Sequence, residues 1–452
     1  MSNHRLFTRL FSSSVPPAAS PTPSWASLGV PHHLLGKLAR VLRGVGSSPS
    51  PTPVQAASLP YLLADLARPP GDCVLHSETG SGKTLAYLLP LFARLDARDA
   101  PAARLRGIVV TPTRELSLQV AGVAEQLAAV GSKKDPSRAV RVLRVAGEVT
   151  AQLLHELKAR PPHVLVGTPS TLARLVGAHV NTGELQALVL DEADELLRNH
   201  SVAAVRELVA GVKRHSNRPG VIAVSATSSF GLEQFASESL SGQRRMVDLT
   251  RNGAGALPSS IAHYFVRVAR PNASYNTFTR FLAAAKPACV LSFHNSQRSM
   301  DALEVHLRRC KVPAGVLGNA LANAQRARSL EGVRTGHLRV LLSTEMAARG
   351  LDLPRVSHVL NFDPPTSFRE YVHRAGRTCR MSSLVGGKTG NVVSFVTSEE
   401  DKDALDGHMR QLGTELTEIV LEGGAVISSL NSPLPLHPNH ETTLTNRLVE
   451  PC

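Results

Sequence analysis

The 452-residue sequence predicts an α/β protein of two lobes in tandem, each built on a parallel sheet. Three observations predict it. Short Val/Leu/Ile runs alternate with helical patterns; each polar motif that could carry chemistry begins where such a run stops; and the alternation starts over in the second half of the chain. In open parallel sheets ligands collect beyond the carboxyl ends of the strands, so motif placement and fold form a single prediction.

The elements justify this in order. After the apolar run Cys73 to Leu75 comes Ser77-Glu78-Thr79-Gly80-Ser81-Gly82-Lys83-Thr84, followed by Leu85 to Leu89. A strand that feeds a glycine-rich turn into a helix aims backbone N–H groups at one point, and phosphate oxygens are the ligands that point best accepts. The strict phosphate-loop pattern has Gly where this chain has Ser77. Ile108 to Thr111, Val164 to Val166, Leu188 to Leu190 and Val221 to Val224 read as further strands, with helical patterns such as Leu116 to Val130 between them. The run Leu188 to Leu190 leads into Asp191-Glu192-Ala193-Asp194, a carboxylate cluster where a Mg²⁺ and an attacking water would need charge and a base. Loop and acids together imply a nucleoside triphosphatase.

The second round has strands at Val290 to Phe293, Val340 to Leu342, His358 to Asn361 and Val392 to Val396, with helices at Ser299 to Arg309 and Gln325 to Val333. The linker is expected over 246–262, around the Gly-rich, Pro-containing segment near Arg251 to Ser260. From 426 to 452 the chain is rich in Pro, Asn, Ser and Thr and is expected to be a loose tail.

Composition agrees: 42% hydrophobic and 19% charged is ordinary for a globular protein, and no apolar run reaches the length of a membrane span. The formal charge of +14 calls for a polyanionic partner. Residues 1–64 supply +5 of it through Arg5, Arg9, Lys37, Arg40 and Arg43, with no acid, which leaves +9 for the remainder. Residues 1–24 combine Arg5 and Arg9 with Leu6, Phe7, Leu10, Phe11 and several serines, the composition of an organelle transit peptide. Pro16, Pro17, Pro21 and Pro23 also fit a plain disordered tail. Arg9-Leu10-Phe11-Ser12-Ser13 resembles mitochondrial processing sites, so the expected destination is the mitochondrion, with the chloroplast as the alternative. The cysteines, Cys73, Cys289, Cys310, Cys379 and Cys452, have no zinc-site or redox spacing, and Cys73 and Cys289 fit core packing.

Taken in order, from about Trp25 to Thr397, the motifs resemble the DEAD-box ATP-dependent RNA helicases. The resemblance implies two RecA-like lobes, 25–245 and 263–425, with ATP and RNA sites in the cleft between them. Pro51-Thr52-Pro53-Val54-Gln55 looks like the Q motif, whose Gln amide would bond adenine while an upstream aromatic, Trp25, stacks on it; a core role is the other reading of Trp25. Thr79, Gly80, Ser81 and Gly82 would cradle phosphates, Lys83 would neutralise them, and Thr84 and Asp191 would hold Mg²⁺. Glu192 would polarise the attacking water. Ser225-Ala226-Thr227 resembles the motif that couples Asp194 to lobe closure, together with His373. In His373-Arg374-Ala375-Gly376-Arg377-Thr378-Cys379-Arg380, Arg377 and Arg380 would be arginine fingers on the γ-phosphate. Asp352 of Ala347-Ala348-Arg349-Gly350-Leu351-Asp352 is expected near the ribose.

By the same resemblance Pro112, Thr113, Arg114, Gly147, Thr168, Thr344 and Arg374 would grip the RNA backbone, independent of sequence and sensitive to salt. Several positions depart from the family. Ala146-Gly147 stands for two glycines, Thr168-Pro169-Ser170-Thr171 for Thr-Pro-Gly-Arg, Gly318-Asn319 for His-Gly, Asn323 for Gln, Glu345 for Asp and Cys379 for Gly. Thr171 removes an expected cation at the RNA. Most departures fall on RNA contacts or the second lobe, while Lys83, Thr84, Asp191, Glu192, Arg377 and Arg380 are intact.

The reading is a monomeric RNA-dependent ATPase that separates short duplexes locally or remodels RNA–protein complexes, with organellar ribosomal or intron RNA as the substrate its address suggests. An RNA chaperone or assembly scaffold with weak unwinding is the alternative. A DNA-directed motor would share the nucleotide site but lacks support from Gln55 and the Asp-Glu-Ala-Asp sequence.

Overall fold

The computed structural model describes residues 23–42, 50–95, 104–128, 140–176, 178–198, 201–216, 218–227, 229–250, 257–270, 273–318, 323–348, 353, 355–378, 390–422 and 425–428. The first sheet contains β1 (Cys73–His76), β2 (Gly107–Val110), β3 (Val142–Val145), β4 (Val164–Gly167), β5 (Ala187–Asp191), β6 (Gly220–Ser225) and β7 (Arg245–Asp248), in the order β3-β4-β2-β5-β6-β1-β7 and parallel throughout. A parallel sheet must be covered on both faces. Alternation along each strand supplies two layers. Cys73 and Leu75 pack with the helices Pro53–Leu62, Lys83–Ala93 and Arg114–Ala128, whereas Val74 packs with Ser201–His215 and Phe230–Ser239 on the other face.

The second sheet comprises β8 (Ile261–Arg267), β9 (Val290–His294), β10 (Ala314–Leu317), β11 (Val340–Thr344), β12 (His358–Asn361), β13 (Gly390–Val396), β14 (Thr417–Glu422) and β15 (Ala425–Ser428). Their order is β10-β11-β9-β12-β13-β8-β14-β15, parallel except for the antiparallel pair β14 and β15. Val359 and Val392 face Tyr371, Val372 and Leu405, while Leu360 and Val393 face Phe278, Phe281 and Leu303. Cys73 and Cys289 are buried in these cores, and burial pushes each thiol up to about 12, which leaves them inert packing groups.

Two expected boundaries change. The linker is shorter than 246–262, because Arg245–Asp248 pairs with β1 in the first sheet and Ile261–Arg267 pairs with β13 in the second. The lobe continues past 425, because Ala425–Ser428 closes a hairpin on β14. The additional strands are β3, β7, β8, β10, β14 and β15, and four of them, β3, β7, β10 and β15, are the edges of the two sheets. An edge strand has neighbours on one side only, so residues such as Arg144 and Arg245 are tolerated and the apolar run that marks an interior strand is lost. The expected transit peptide, residues 1–24, lies outside the described residues up to position 22. Among the described residues no helix is long and apolar enough to cross a membrane.

Gly220 opens β6 where a side chain has no room: a Cβ there would lie 2.0 Å from the Pro70 carbonyl oxygen. Gly220→Ala is expected to destabilise the protein by about 1–3 kcal/mol, because backbone rather than a flexible side chain must move. A lowered urea midpoint would record this; an unchanged midpoint would contradict it.

Candidate functional site

β5, β6 and β1 are neighbours in the first sheet, and the phosphate-loop candidate, Asp191 and Ser225 all sit at their carboxyl ends. His76 lies abreast of Ser225, and the Ser77 amide donates to the Ser225 carbonyl at 3.2 Å, so the loop starts from a fixed base. Gly80 and Gly82 adopt φ of 74° and 87°, the left-handed region that glycine enters at no steric cost. Gly82 turns the chain into the helix that begins at Lys83. Ser77, the departure from the strict pattern, is buried and donates its hydroxyl to Ser81 Oγ at 2.9 Å, so a side-chain bond closes the loop here.

Lys83 Nζ donates to the carbonyls of Ser77 at 2.8 Å and Glu78 at 2.5 Å. Lys83 is half-buried with its amine enclosed; enclosure pushes that amine down to about 8, against the pull of Asp191, Asp194, Glu192 and Glu78. Thr79 Oγ1 is buried with no hydrogen-bond partner among the described residues. An orphaned hydroxyl, an enclosed amine and two left-handed glycines fit a ligand rich in oxygen acceptors, as a nucleotide phosphate is.

Gln55 is buried and joins this loop: its Nε2 donates to the Gly82 carbonyl at 2.9 Å, and its Oε1 accepts from the Thr52 amide at 2.8 Å in a capping box. Its amide therefore ties the helix Pro53–Leu62 to the phosphate loop. Trp25 is half-buried against the first-lobe core.

At the acids, Glu192 has φ 51° and ψ 50°, a left-handed conformation that costs a side-chain-bearing residue about 1–2 kcal/mol. The turn buries Asp191 and Asp194 and leaves Glu192 partly exposed, as a base on a water requires. Both oxygens of Asp191 are held. Oδ2 accepts from the Tyr87 hydroxyl at 2.7 Å, and Oδ1 accepts from the Glu192 amide at 3.0 Å. Thr84 neighbours the same phenol and eases its titration against burial, so Tyr87 stands beside both residues expected to face Mg²⁺. Burial, then the Glu192 charge, pushes Asp191 up to about 6, a cost that a divalent cation alongside would offset. Asp191 and Thr84 therefore fit a Mg²⁺, and phosphate and water would supply its remaining ligands.

Closure brings the second lobe onto this edge. Asp194, 1% exposed, receives the Thr227 hydroxyl on Oδ2, with Arg369 Nη2 at 3.1 Å and His373 Nε2 at 3.4 Å from the same oxygen. Arg369 Nη2 also lies 3.1 Å from Glu195 Oε2. Ser225 Oγ donates to the Thr227 carbonyl at 2.6 Å and so aims the threonine. Glu345 Oε1 lies 3.8 Å from His373 Nδ1 on the opposite side of the ring. Arg377 Nη2 lies 3.8 Å from Glu192 Oε1. Gly376 lets the lobes meet, since a Cβ there would lie 2.1 Å from Thr79 Oγ1. Burial opposes protonation of His373, but hydrogen bonds to Asp194 and Glu345 prevail and raise it to about 9. Burial likewise opposes the Asp194 charge, and the bond and charge of His373, with Arg369 and Thr227, hold that carboxyl below the usual range.

The other carboxyl ends of the first sheet carry a separate set. Thr113 and Arg114 follow β2, Gly147 follows β3 and Thr168 follows β4, on the adjacent strands β3-β4-β2. Pro112, Thr113 and Thr168 are half-buried and Arg114 is exposed. Gly147 has φ 110° and lies under the Arg114 guanidinium, with a hypothetical Cβ 3.2 Å from Nη2. Thr171, where a cation was expected, is buried; its hydroxyl donates to the Gly147 carbonyl at 2.7 Å and lies 3.2 Å from Thr168 Oγ1. Thr344, half-buried, ends β11 in the second lobe. Arg326 Nη2 lies 3.2 Å from Glu115 Oε1 and donates to the Ala347 carbonyl at 2.6 Å, a further bridge between the lobes.

Arg374 departs from the expectation of an RNA contact. It is 1% exposed, donates to Asn361 Oδ1 at 3.3 Å, to the Asp363 carbonyl at 2.8 Å and to Asn295 Oδ1 at 2.6 Å, and pairs with Glu370. Its guanidinium is consumed in holding the second lobe together. Arg380 and Asp352 lie outside the described residues.

Family models match in two segments: residues 52–235 match the DEAD/DEAH box helicase model and residues 273–382 the helicase conserved C-terminal domain. The chain is 32% identical over 360 residues to the DEAD-box ATP-dependent RNA helicase CshA of Bacillus licheniformis, across 78% of this chain and 67% of that relative. It belongs to the DEAD-box RNA helicase family. A second CshA, of Geobacillus kaustophilus, is 31% identical over 77% of this chain and 69% of its own length. The fold is similar to S. cerevisiae Dbp5 bound to RNA and ADP BeF3, with TM-score 0.73, 23% identity and coverage of 88% and 96% of the two chains. It is also similar to Mss116 bound to ssRNA and UDP-BeF, with TM-score 0.74, 19% identity and coverage of 88% and 81%.

Within this DEAD-box helicase, motif reading did not single out Tyr87, Arg369 or Glu195. Tyr87 had a signal: it stands one turn after Lys83 and Thr84 on the same helix, where a side chain can reach back to them. Tyr87→Phe keeps the buried ring and removes the hydroxyl that holds Asp191. The Mg²⁺ concentration that half-saturates fluorescent-ADP binding is expected to rise about tenfold, while binding without Mg²⁺ stays as it was. An unchanged Mg²⁺ requirement would show that the phenol only packs.

The pH dependence follows from His373. Its closed-state value of about 9 exceeds its ordinary 6.5, so its contribution to closure is complete below 6.5 and is lost as pH rises through 9. Asp194 runs the other way, its contribution being lost in acid below the ordinary carboxylate range. The RNA concentration needed for half-maximal ATPase is therefore expected to climb between about pH 6.5 and 9 in the wild type, with the climb removed in His373→Gln. A flat profile in the wild type would contradict the assignment.

Proposed function

We propose that this protein is an ATP-dependent RNA helicase that clamps single-stranded RNA between its lobes, separates short duplexes locally or remodels RNA–protein complexes, and resets by hydrolysis. One observation carries it: the base candidate Glu192 belongs to the first lobe and the cation facing it, Arg377, to the second, 3.8 Å away. Hydrolysis can then proceed only in the closed form, and anything that favours closure acts as an activator. The groups on β2, β3, β4 and β11 offer hydroxyls and one exposed arginine, which suit a sugar-phosphate backbone without reading bases. Bound Mg²⁺ would neutralise developing phosphate charge; Lys83 would hold the phosphates, Asp191 and Thr84 would orient the cation, Glu192 would orient the water, and Arg377 would meet the charge from the opposite side.

The scaffold reading keeps one point in its favour. With Thr171 turned inward and Arg374 buried, two positions expected on RNA contribute no cation to it, so strand separation would be weaker than ATP turnover. In this proposal the chain acts as a monomer, residues 1–24 direct it to the mitochondrion rather than the chloroplast, and its substrates are ribosomal or intron RNA there; the acid-free, Arg-containing leader supports that address. A fluorescent protein fused after residue 24 tests it by where it accumulates.

ATP hydrolysis measured with single-stranded RNA, with DNA of the same length, and with neither tests the activity. RNA alone should stimulate, Lys83→Ala should lose nucleotide binding, and Glu192→Gln should lose about 100-fold or more in turnover while still binding ATP and RNA. Turnover by Glu192→Gln at the wild-type rate would remove Glu192 from its role.

A further inference from the structure

The helix Phe368–Ala375 and the residues after it carry a basic stripe at helical spacing: Arg369, His373 and Arg377 stand four apart and therefore on one face. The motif resemblance accounts for His373 and Arg377; Arg369 lies one turn before it. All three meet acids of the first lobe, Arg377 at Glu192, His373 at Asp194, and Arg369 at both Asp194 and Glu195. The side chain of Arg369 is 15% exposed, that of Glu195 16% and that of Asp194 1%, so the pairing is largely withdrawn from water and weakly screened by salt. Arg198 lies 3.6 Å from the same Glu195 oxygen, within the first lobe, so Glu195 has a cation of its own before the lobes meet.

We propose that Arg369 is an interlobe latch: a positioning residue that closes the clamp through Asp194 and Glu195 and thereby sets how much RNA is needed to assemble Glu192 with Arg377. The physical reason is differential. Separating the lobes leaves the Asp194 carboxylate with Thr227 and whatever water reaches it, whereas closure gives it two cationic partners withdrawn from water. His373 contributes only while protonated, whereas one Arg369 nitrogen, Nη2, lies 3.1 Å from both Asp194 Oδ2 and Glu195 Oε2. Its placement before the His-Arg motif makes it an addition to the nucleotide-sensing contacts.

The inference rests on the ATPase reading above, and the test separates the two. Wild type, Arg369→Ala, Arg369→Lys, Glu195→Ala and the Arg369→Ala/Glu195→Ala pair would be compared in two measurements on the full chain. One is small-angle X-ray scattering with ADP–beryllium fluoride and a short oligouridine; the other is RNA-stimulated ATPase. Arg369→Ala should enlarge the radius of gyration and raise the half-saturating RNA concentration by roughly tenfold, the size of a typical coupling between sites. Affinity for ADP without RNA is the control that holds, because both acids lie outside the phosphate loop. Arg369→Lys should recover part of the loss. The double variant should be no worse than Arg369→Ala, since Glu195 acts through the same guanidinium. An Arg369→Ala protein as compact as wild type with the same RNA requirement would overturn the latch, as would effects that simply multiply. Absence of RNA-stimulated hydrolysis in the wild type would instead sink the ATPase reading, with scattering still deciding whether Arg369 holds the lobes.

Discussion

Everything at the cleft depends on the burial of one carboxylate. Asp194 is 1% exposed and remains ionised only because three donors converge on Oδ2, one from its own lobe and two from the other. A buried charge without partners costs several kcal/mol by general measure, about 3–5 when one partner is removed. The closed arrangement is thus the one in which Asp194 Oδ2 gathers all three donors, and the contacts that do so also bring Arg377 up to Glu192 and Gly376 down onto Thr79. Electrostatics and chemistry share a single geometry.

The sheet order separates two tasks along one edge. Strands β5, β6 and β1 present the phosphate loop, the acids and Ser225, while β2, β4 and β3 present the groups suited to a nucleic-acid backbone. Because all seven strands are parallel, both sets emerge on the same side of the sheet, and a second lobe docked across that side touches both. Arg326 with Glu115 serves one half of the edge, and Arg369 and His373 with Asp194 serve the other. Closure is a two-point contact, which is how occupancy on one half can be felt on the other.

Three departures from the family pattern acquire a physical meaning in this setting. Ser77 closes the phosphate loop through Ser81; Thr171 spends its hydroxyl bracing Gly147 and Thr168 rather than reaching outward; and Glu345, one methylene longer than the expected Asp, reaches the far side of His373. In each case the departing side chain has become an internal brace. Thr171, standing where the family pattern has Arg, also leaves the nucleic-acid face with less charge.

The α/β class, the two-lobe repeat, the phosphate loop and the acidic turn were determined by the sequence alone, because interior parallel strands are continuous apolar runs and their motifs sit immediately after them in the chain. Edge strands such as Val142–Val145 and Arg245–Asp248 lacked that run, and the hairpin Ala425–Ser428 read as tail, because their pairing is with strands distant in sequence. Only the tertiary structure decided which charged side chains meet. Arg369 and Glu195, Arg326 and Glu115, and Tyr87 and Asp191 are each separated by about a hundred residues or more, and no local spacing relates them. The fate of Arg374 was decided there as well: its motif position says cation, but packing against Phe293, Asn361 and Glu370 makes it a core strut. Residue type announces chemistry; burial and the facing lobe determine whether that chemistry is turned toward a ligand or used to hold the protein together.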